Sequence, residues 1–350
     1  VLSIQDSPGT DWRLQVYERI SAKAEAILNK LDKEAVPAFF QLVYYNVKGA
    51  ALVNQMTLNA QKNRLYASQK RSAANLLRSR VKAYGDSLEI ITKRYNSLLN
   101  GKWQGMMSLI HGGARSFERA RTDSVSLSPV PTLGVSCEAA DNMKGVSNVH
   151  VIPCFNKYLP QSYYVDVFNS GMGKLKWKAV PSDPWILVNK KSGATYSEER
   201  INVSVDWSKV PVGESVSGSI DISSGSGEKQ TVFVSVFNPE TPSVEELKGL
   251  YVENNGYVSI DATGFHRKRE DANIKFDVVE GLGFDNKVMR LGDAFAKTPY
   301  LDGLILTSNY VAPVRGDKYP VLEYDFYSFQ TGPVDVYTSC SHLLSLSPDE

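Results

Sequence analysis

Residues Gln61–Gly85 read QKNRLYASQKRSAANLLRSRVKAYG, with Lys62, Arg64, Lys70, Arg71, Arg78, Arg80 and Lys82 and no carboxylate. The acid-free run is longer still, because no Asp or Glu stands between Glu34 and Asp86. Its apolar residues keep a helical period, with Ala73, Leu77, Val81, Tyr84, Leu88, Ile91 and Tyr95 three or four apart. Upstream, Tyr17, Ile20, Ala24, Ile27 and Leu31 repeat the spacing. Asp11 stands where a first helix would be capped. Pro37 can open a second, since the first turn does not need its missing N–H, and Asn100-Gly101 stops a third. The prediction is an antiparallel helical bundle over residues 10–115, with one very long central helix or a broken pair.

From about Val149 to Asn238 the period changes to two. SYYVDVFNSG, LKWKAVPSDPWILVNKKSG, RINVSVDW and SGSIDISSGSGEKQTVFVSVFNP read as short strands separated by Gly, Ser, Pro and Asp turns. Strands recurring without intervening helices predict an immunoglobulin-like β-sandwich over residues 146–240. Val232, Val234 and Val236 share one face of the last strand, and Phe233, Ser235 and Phe237 the other. Trp177 and Trp185 are read as core residues, with a sugar platform as the alternative. Between bundle and sandwich, Gly112–Val135 is rich in Arg, Ser and Pro, so residues 116–145 are read as an exposed linker. After PETPSVEELKGLYVENNG, strand-like segments such as IKFDVVEGLGF, LDGLILTSNYVA, VLEYDFYSF and PVDVYTS predict a second β-sandwich over residues 247–350. The predicted class is multidomain α+β, a helical bundle followed by two β-sandwich modules. Val1 begins without a start Met or signal peptide, and the last strands end abruptly. A fragment with a truncated last module is therefore the expectation.

The 350 residues hold 39 basic and 38 acidic side chains, a net charge of +1. A dedicated nucleic-acid binder would be plainly basic. No apolar run approaches the roughly 20 residues that span a bilayer. Cys137, Cys154 and Cys340 have no metal-site spacing. They are read as buried thiols, with a Cys137–Cys154 disulfide as the alternative. His111, His150, His266 and His342 lie in separate segments, so no metal or cofactor is expected. Phosphate-binding, hydrolase-elbow and dinucleotide-binding signatures are absent, and EGLGF around Gly281 and Gly283 is read as a turn. Asp261, Asp277, Glu280 and Glu323 could pair as a glycosidase requires, although strand alternation accounts for them as solvent-facing. The acid-free stretch has three readings: packing against a neighbouring domain, an acidic carbohydrate, or nucleic acid. The last needs interleaved aromatics, and Tyr66 and Tyr84 alone are available.

Two long motifs, FFQLVYYNVKGAALVNQMTLNAQKNRLYASQKRSAANLLRSRV (Phe39–Val81) and YNSLLNGKWQGMM (Tyr95–Met107), resemble the helical domain of glycoside hydrolase family 115. LYVENNGYVSIDATGFHRK (Leu250–Lys268) resembles the start of that family's C-terminal β-sandwich domain. SDPWILV, VDWSKVPVG and VFVSVFNP are similar to immunoglobulin-like modules of bacterial glycan-processing proteins. The resemblance implies a xylan α-1,2-glucuronidase, which removes glucuronic or 4-O-methylglucuronic acid from xylan. The family carries its catalytic carboxylates in an α/β domain and a (β/α)8 barrel, and nothing here reads as either. The resemblance therefore implies a non-catalytic C-terminal portion without cofactor, secreted or periplasmic. Its implied partners are upstream catalytic domains of the same protein, glucuronoxylan or a related acidic polysaccharide, and a second copy in a homodimer. Tyr44, Tyr45, Lys48, Gln61, Lys62, Asn63 and Arg64 match the family pattern and are the implied substrate-binding or domain-interface residues. After His111, HGGARSFERART departs from it. The rival readings are a stand-alone carbohydrate-binding or surface-adhesion protein, and a polyanion binder acting through the basic helices.

Overall fold

The computed structural model describes residues 8–107, 120–138, 150–270, 275–283, 287–292 and 320–339. They belong to two compact units, Val1–Pro239 and Glu240–Glu350. The first unit opens with α1 (Pro8–Leu28). Next come α2 (Val36–Phe39), a π-helical turn (Phe40–Tyr44) and α3 (Tyr45–Ser68), a continuous run against which α4 (Ala73–Gly101) folds back. Pro37 sits in the first turn of α2, where its missing N–H costs nothing. Asp11 is not a cap: α1 already starts at Pro8, a residue suited to a first turn, which leaves Asp11 inside the helix.

The basic stretch is a broken pair of helices. Lys70 takes a left-handed φ of 58°. Its N–H donates to the Ala67 carbonyl at 3.0 Å, and the Arg71 N–H reaches the Tyr66 carbonyl at 2.9 Å. This is the Schellman closure of a helix end, made here without glycine. The apolar stripe of α4 packs as its period predicts, with Ala73, Leu77, Val81, Leu88, Ile91 and Tyr95 buried. In α1, by contrast, the buried seam is Ser21, Ala24 and Leu28, while Ile20 and Ile27 are exposed. Small side chains on the seam permit a close approach of helices, and that rotation carries the two isoleucines outward. At its far end α4 departs from helical geometry from Leu98, and Leu99, Asn100 and Gly101 are all left-handed.

Among the described residues, ten strands complete the unit. They are β1 (Leu133–Cys137), β2 (His150–Val151), β3 (Phe155–Asn156), β4 (Tyr163–Asn169) and β5 (Leu175–Pro181), then β6 (Ile186–Val188), β7 (Ser192–Thr195), β8 (Glu198–Val205), β9 (Gly213–Ser224) and β10 (Lys229–Asn238). One sheet has the order β1-β4-β8-β6; the other has β2-β10-β9-β5-β7, with β3 also paired to β10. Val165, Val167, Ile201 and Val203 of the first sheet share one core with Ile220, Ile222, Val232, Val234 and Val236 of the second. Trp177 and Trp185 lie in that core, each 2% exposed, so neither is a sugar platform. Cys137 and Cys154 are thiols, the first buried and the second half-buried; Cys340 lies outside the described residues. Strand β1 falls within the stretch read as linker. Ahead of it, Ala120 and Val125 pack against helix-pair clusters around Ala60 and Tyr66.

In the second unit the described residues form three two-stranded ladders. They pair β11 (Tyr251–Val252) with β16 (Phe326–Tyr327), β12 (Arg267–Arg269) with β15 (Val321–Glu323), and β13 (Phe276–Glu280) with β14 (Lys287–Leu291). Gly281 and Gly283 follow β13 with positive φ, as a turn requires. The Glu253 carboxylate is buried and accepts from the Ser328 hydroxyl and the Phe329 and Gln330 N–H groups at 2.6, 2.7 and 3.1 Å. The LDGLILTSNYVA segment lies outside the described residues, and PVDVYTS joins none of these ladders. No described helix is long and apolar enough to cross a membrane.

His150 links the fold to pH. Its ring is buried beside Gln230, with 3.3 Å between Nε2 and Oε1. Burial lowers its pKa, and the Gln230 bond opposes this only in part. The unfolded chain, with an imidazole pKa of about 6.5, therefore binds the proton more readily than the folded one. Stability of the first unit is expected to fall as pH drops below about 6.5 towards the lower folded value. His150→Leu should flatten the loss between about pH 5 and 6.5, measured as urea midpoints against pH. An equally steep loss in the variant would assign it to other groups.

Candidate functional site

The family-matched residues fall into two groups along the α2–α3 run. Tyr44 is buried against Phe40, ring centroids 5.2 Å apart, and burial raises its phenol pKa. The Tyr45 hydroxyl lies 3.2 Å from Thr92 Oγ1 and its ring 4.8 Å from that of Tyr95. Lys48 ion-pairs with Glu25 at 3.5 Å. Gln61 begins the second group, thirteen residues and so about 20 Å further along the helix. Lys62 places its ammonium 5.3 Å from the Tyr66 ring centre. Asn63 is fully buried and donates to the Ala74 carbonyl at 2.8 Å. Arg64 is exposed and donates to the Arg121 carbonyl at 3.1 Å. Helical rise keeps the two groups from forming one pocket.

The structure instead assembles a site around Arg71, in the turn between α3 and α4. Its guanidinium is fully buried. Nη1 donates to Asp166 Oδ2 at 3.0 Å and to Glu198 Oε2 at 2.9 Å, and Nε to Gln69 Oε1 at 2.6 Å. The rings of Tyr66 and Phe168 lie 4.2 and 4.6 Å from it. Tyr66 donates its hydroxyl to Glu198 Oε1 at 3.0 Å. Arg200 completes the charge balance, donating to both oxygens of Asp166 at 2.8 and 3.1 Å. Burial disfavours the Arg71 charge, but Asp166, Tyr66 and Glu198 together reverse that and raise its pKa. Burial first and then Glu198 push the Tyr66 phenol far above its ordinary value.

Local sequence positions each member. In β4 the residues alternate, Val165 and Val167 facing the sandwich core and Tyr164, Asp166 and Phe168 the opposite side, yet every one is buried. The helix pair is what covers that second face. Asp166 stands opposite Ser136 and Arg200 on the neighbouring strands, and Phe168 opposite Gly134 and Glu198. Gly134 is required: a Cβ there would lie 2.1 Å from the Phe168 ring that backs Arg71. Ser72, at the N-cap of α4, makes no side-chain cap bond. Its N–H and hydroxyl instead donate to the Asn169 and Tyr196 carbonyls at 2.9 and 3.2 Å. The sequence reading named Arg71 only as one base among seven and missed its acidic partners. The available signal was YYVDVFN, whose second face carries Tyr and Phe around a single Asp.

Of the four strand carboxylates considered as a glycosidase pair, Glu280 is exposed and the other three are engaged with neighbours. Asp277 pairs with Arg290 at 3.0 Å and Glu323 with Arg267 at 2.5 Å, while Asp261 accepts from Thr263. His266 accepts from the Asp325 N–H at 3.1 Å and places Nε2 2.5 Å from the Gly249 carbonyl. His111, His342 and the HGGARSFERART segment lie outside the described residues. Among the described residues no group of three His, Cys, Asp or Glu side chains could hold a metal ion.

Residues 250–350 match the family model described as Glycosyl hydrolase family 115 C-terminal domain. Among solved structures, a GH115 4-O-methyl-α-glucuronidase with specificity for decorated arabinogalactans is 16% identical, over 67% of this chain and 33% of that one, with a TM-score of 0.28. A Bacteroides ovatus GH5 xyloglucanase is 10% identical over 35% of this chain and 22% of its own, TM-score 0.23. A PapD-like domain of human CEP192 is 10% identical over 39% of this chain and 99% of its own, TM-score 0.23. The chain spans about a third of the GH115 enzyme and less of the xyloglucanase. No curated protein matches it.

Breaking the buried network should be costly in one specific pattern. Arg71→Met leaves Asp166 and Glu198 under the helix pair with Arg200 as the remaining cation, and should destabilise the first unit by about 3 kcal/mol. Adding Asp166→Leu and Glu198→Met should recover most of that, because no buried charge is then uncompensated. Chemical denaturation of both variants tests this. A triple variant weaker than Arg71→Met would show that the charges themselves stabilise the joint.

Proposed function

We propose that this chain is the non-catalytic C-terminal portion of a xylan α-1,2-(4-O-methyl)glucuronidase-like glycoside hydrolase, secreted or periplasmic. The family 115 match over residues 250–350 carries the reading. The described carboxylates support it. Glycosidic hydrolysis needs two carboxyl groups facing each other across the scissile bond. Here Asp166 and Glu198 are tied to Arg71, and Glu253 to backbone N–H groups. In this proposal the acid and base belong to other domains of the parent enzyme. The helix pair and sandwich are scaffold.

The surface role falls to the basic residues that the fold leaves outside. Arg64, Lys70, Arg78, Arg80 and Lys82 are exposed. Such a surface suits a carboxylate-bearing partner, either the uronates of glucuronoxylan or an acidic face of the catalytic domains. Gln61 and Lys62 border it and Asn63 lies buried beneath it, while Tyr44, Tyr45 and Lys48 make their contacts further back along the helix run. Tyr66 and Tyr84 pack into the helix clusters, which removes the stacking platform a single-stranded nucleic acid would use.

The purified chain is expected to release no 4-O-methylglucuronic acid from glucuronoxylan. Release that one Asp or Glu substitution within the chain abolishes would overturn the proposal. Reversing Arg78 and Lys82 to Glu should shift stability by no more than about 0.5 kcal/mol, as exposed substitutions usually do. The same pair should weaken retention on glucuronoxylan or association with the catalytic domains supplied separately. Unchanged binding to both would show that this face meets only solvent.

A further inference from the structure

Residues 121–125 lie along the helix pair as an extended chain, and their backbone is read by side chains. Asn63 donates to the Asp123 carbonyl at 3.0 Å and accepts from the Asp123 N–H at 2.8 Å. Two residues on, Asn75 does the same for Val125, at 2.9 and 3.0 Å. Two residues back, Arg64 takes the Arg121 carbonyl. A side-chain amide offers one acceptor and two donors, so each Asn pairs with both polar groups of a residue, as a neighbouring strand would. The period of two is that of an extended chain with one edge turned to the helices. Asn63 uses its second donor on Ala74, tying α3 to α4 beneath the strap. The N–H groups of Thr122 and Ser124 form no such bond among the described residues.

We infer that the surface formed by α3 and α4 is a backbone-reading peptide site, whose resident ligand is the 121–125 strap of this same chain. Recognition goes through main-chain groups, so the site sets the position of the strap and is indifferent to most of its side chains; Ala120 and Val125 add apolar anchors. From there the chain passes Ser128, bridged to Gly171, and enters β1. The strap is thus a latch that fastens the helix pair to the sandwich independently of Arg71. With both attachments made, the two subdomains move as one body.

Amide-resolved hydrogen exchange on the full chain tests the latch. The Asp123 and Val125 amides should exchange about two- to tenfold more slowly than those of Thr122 and Ser124, one net hydrogen bond each. Asn75→Leu should abolish the protection of Val125 and leave that of Asp123 in place. Asn75→Asp keeps the acceptor for the Val125 N–H but sets its second oxygen against the Val125 carbonyl. Val125 should then exchange at a rate between those of the unaltered chain and Asn75→Leu, with Asp123 unchanged in both variants, which separates the clamp from general destabilisation. Uniform exchange across residues 122–125, or a Val125 amide unmoved by Asn75→Leu, would overturn the proposal.

Discussion

The first unit depends on one buried cation. Arg71 has no exposed surface, and a bare guanidinium in that position would be prohibitive. It is tolerated because two carboxylates from the sandwich, a glutamine from its own turn and two aromatic faces meet it there. None of these could be removed without altering the others. The Phe168 ring lies over Gly134, Asp166 is shared with Arg200, and Glu198 is shared with Tyr66. Such a network adds little net stability over an apolar contact of equal size. Its bonds tie the helix turn to two strands of one sheet, to β4 through Asp166 and to β8 through Glu198.

That placement accounts for much of the acid-free stretch. A carboxylate beside Arg71 would compete with Asp166 and Glu198 for the same donors, and on the covered face it would bring an uncompensated charge into the joint. Neighbour packing is therefore part of the answer, and the neighbour is the sandwich of the same chain. Of the bases left outside, Arg64 holds the Arg121 carbonyl, and the others are the basis of the proposed anionic partner. The family-matched residues divide along the same line. Those of the first group make contacts within the bundle, and of the second Gln61, Lys62 and Arg64 lie at its basic surface while Asn63 is buried.

Local pattern determined a good part of this protein. The stripe of α4, the alternation of Val232, Val234 and Val236 and the burial of Trp177 and Trp185 follow from period and polarity, because each side chain there answers to a core on one side only. The resemblance of Leu250–Lys268 to the start of the family 115 C-terminal domain has its counterpart in the family-model match over residues 250–350. Three features were not legible. The break after α3 falls at Lys70, which carries no Gly or Pro signal, and is held by bonds that only the finished turn can make. The seam of α1 was misjudged because Ser21 and Ala24, not the larger Ile20 and Ile27, allow the helices to approach. The joint itself was invisible, since Arg71 and Asp166 stand far apart in sequence and each alone looks like an ordinary surface charge. Tertiary structure decided these points for one physical reason: whether a polar side chain lies inside or outside depends on the partner that meets it, and the partner comes from elsewhere in the chain.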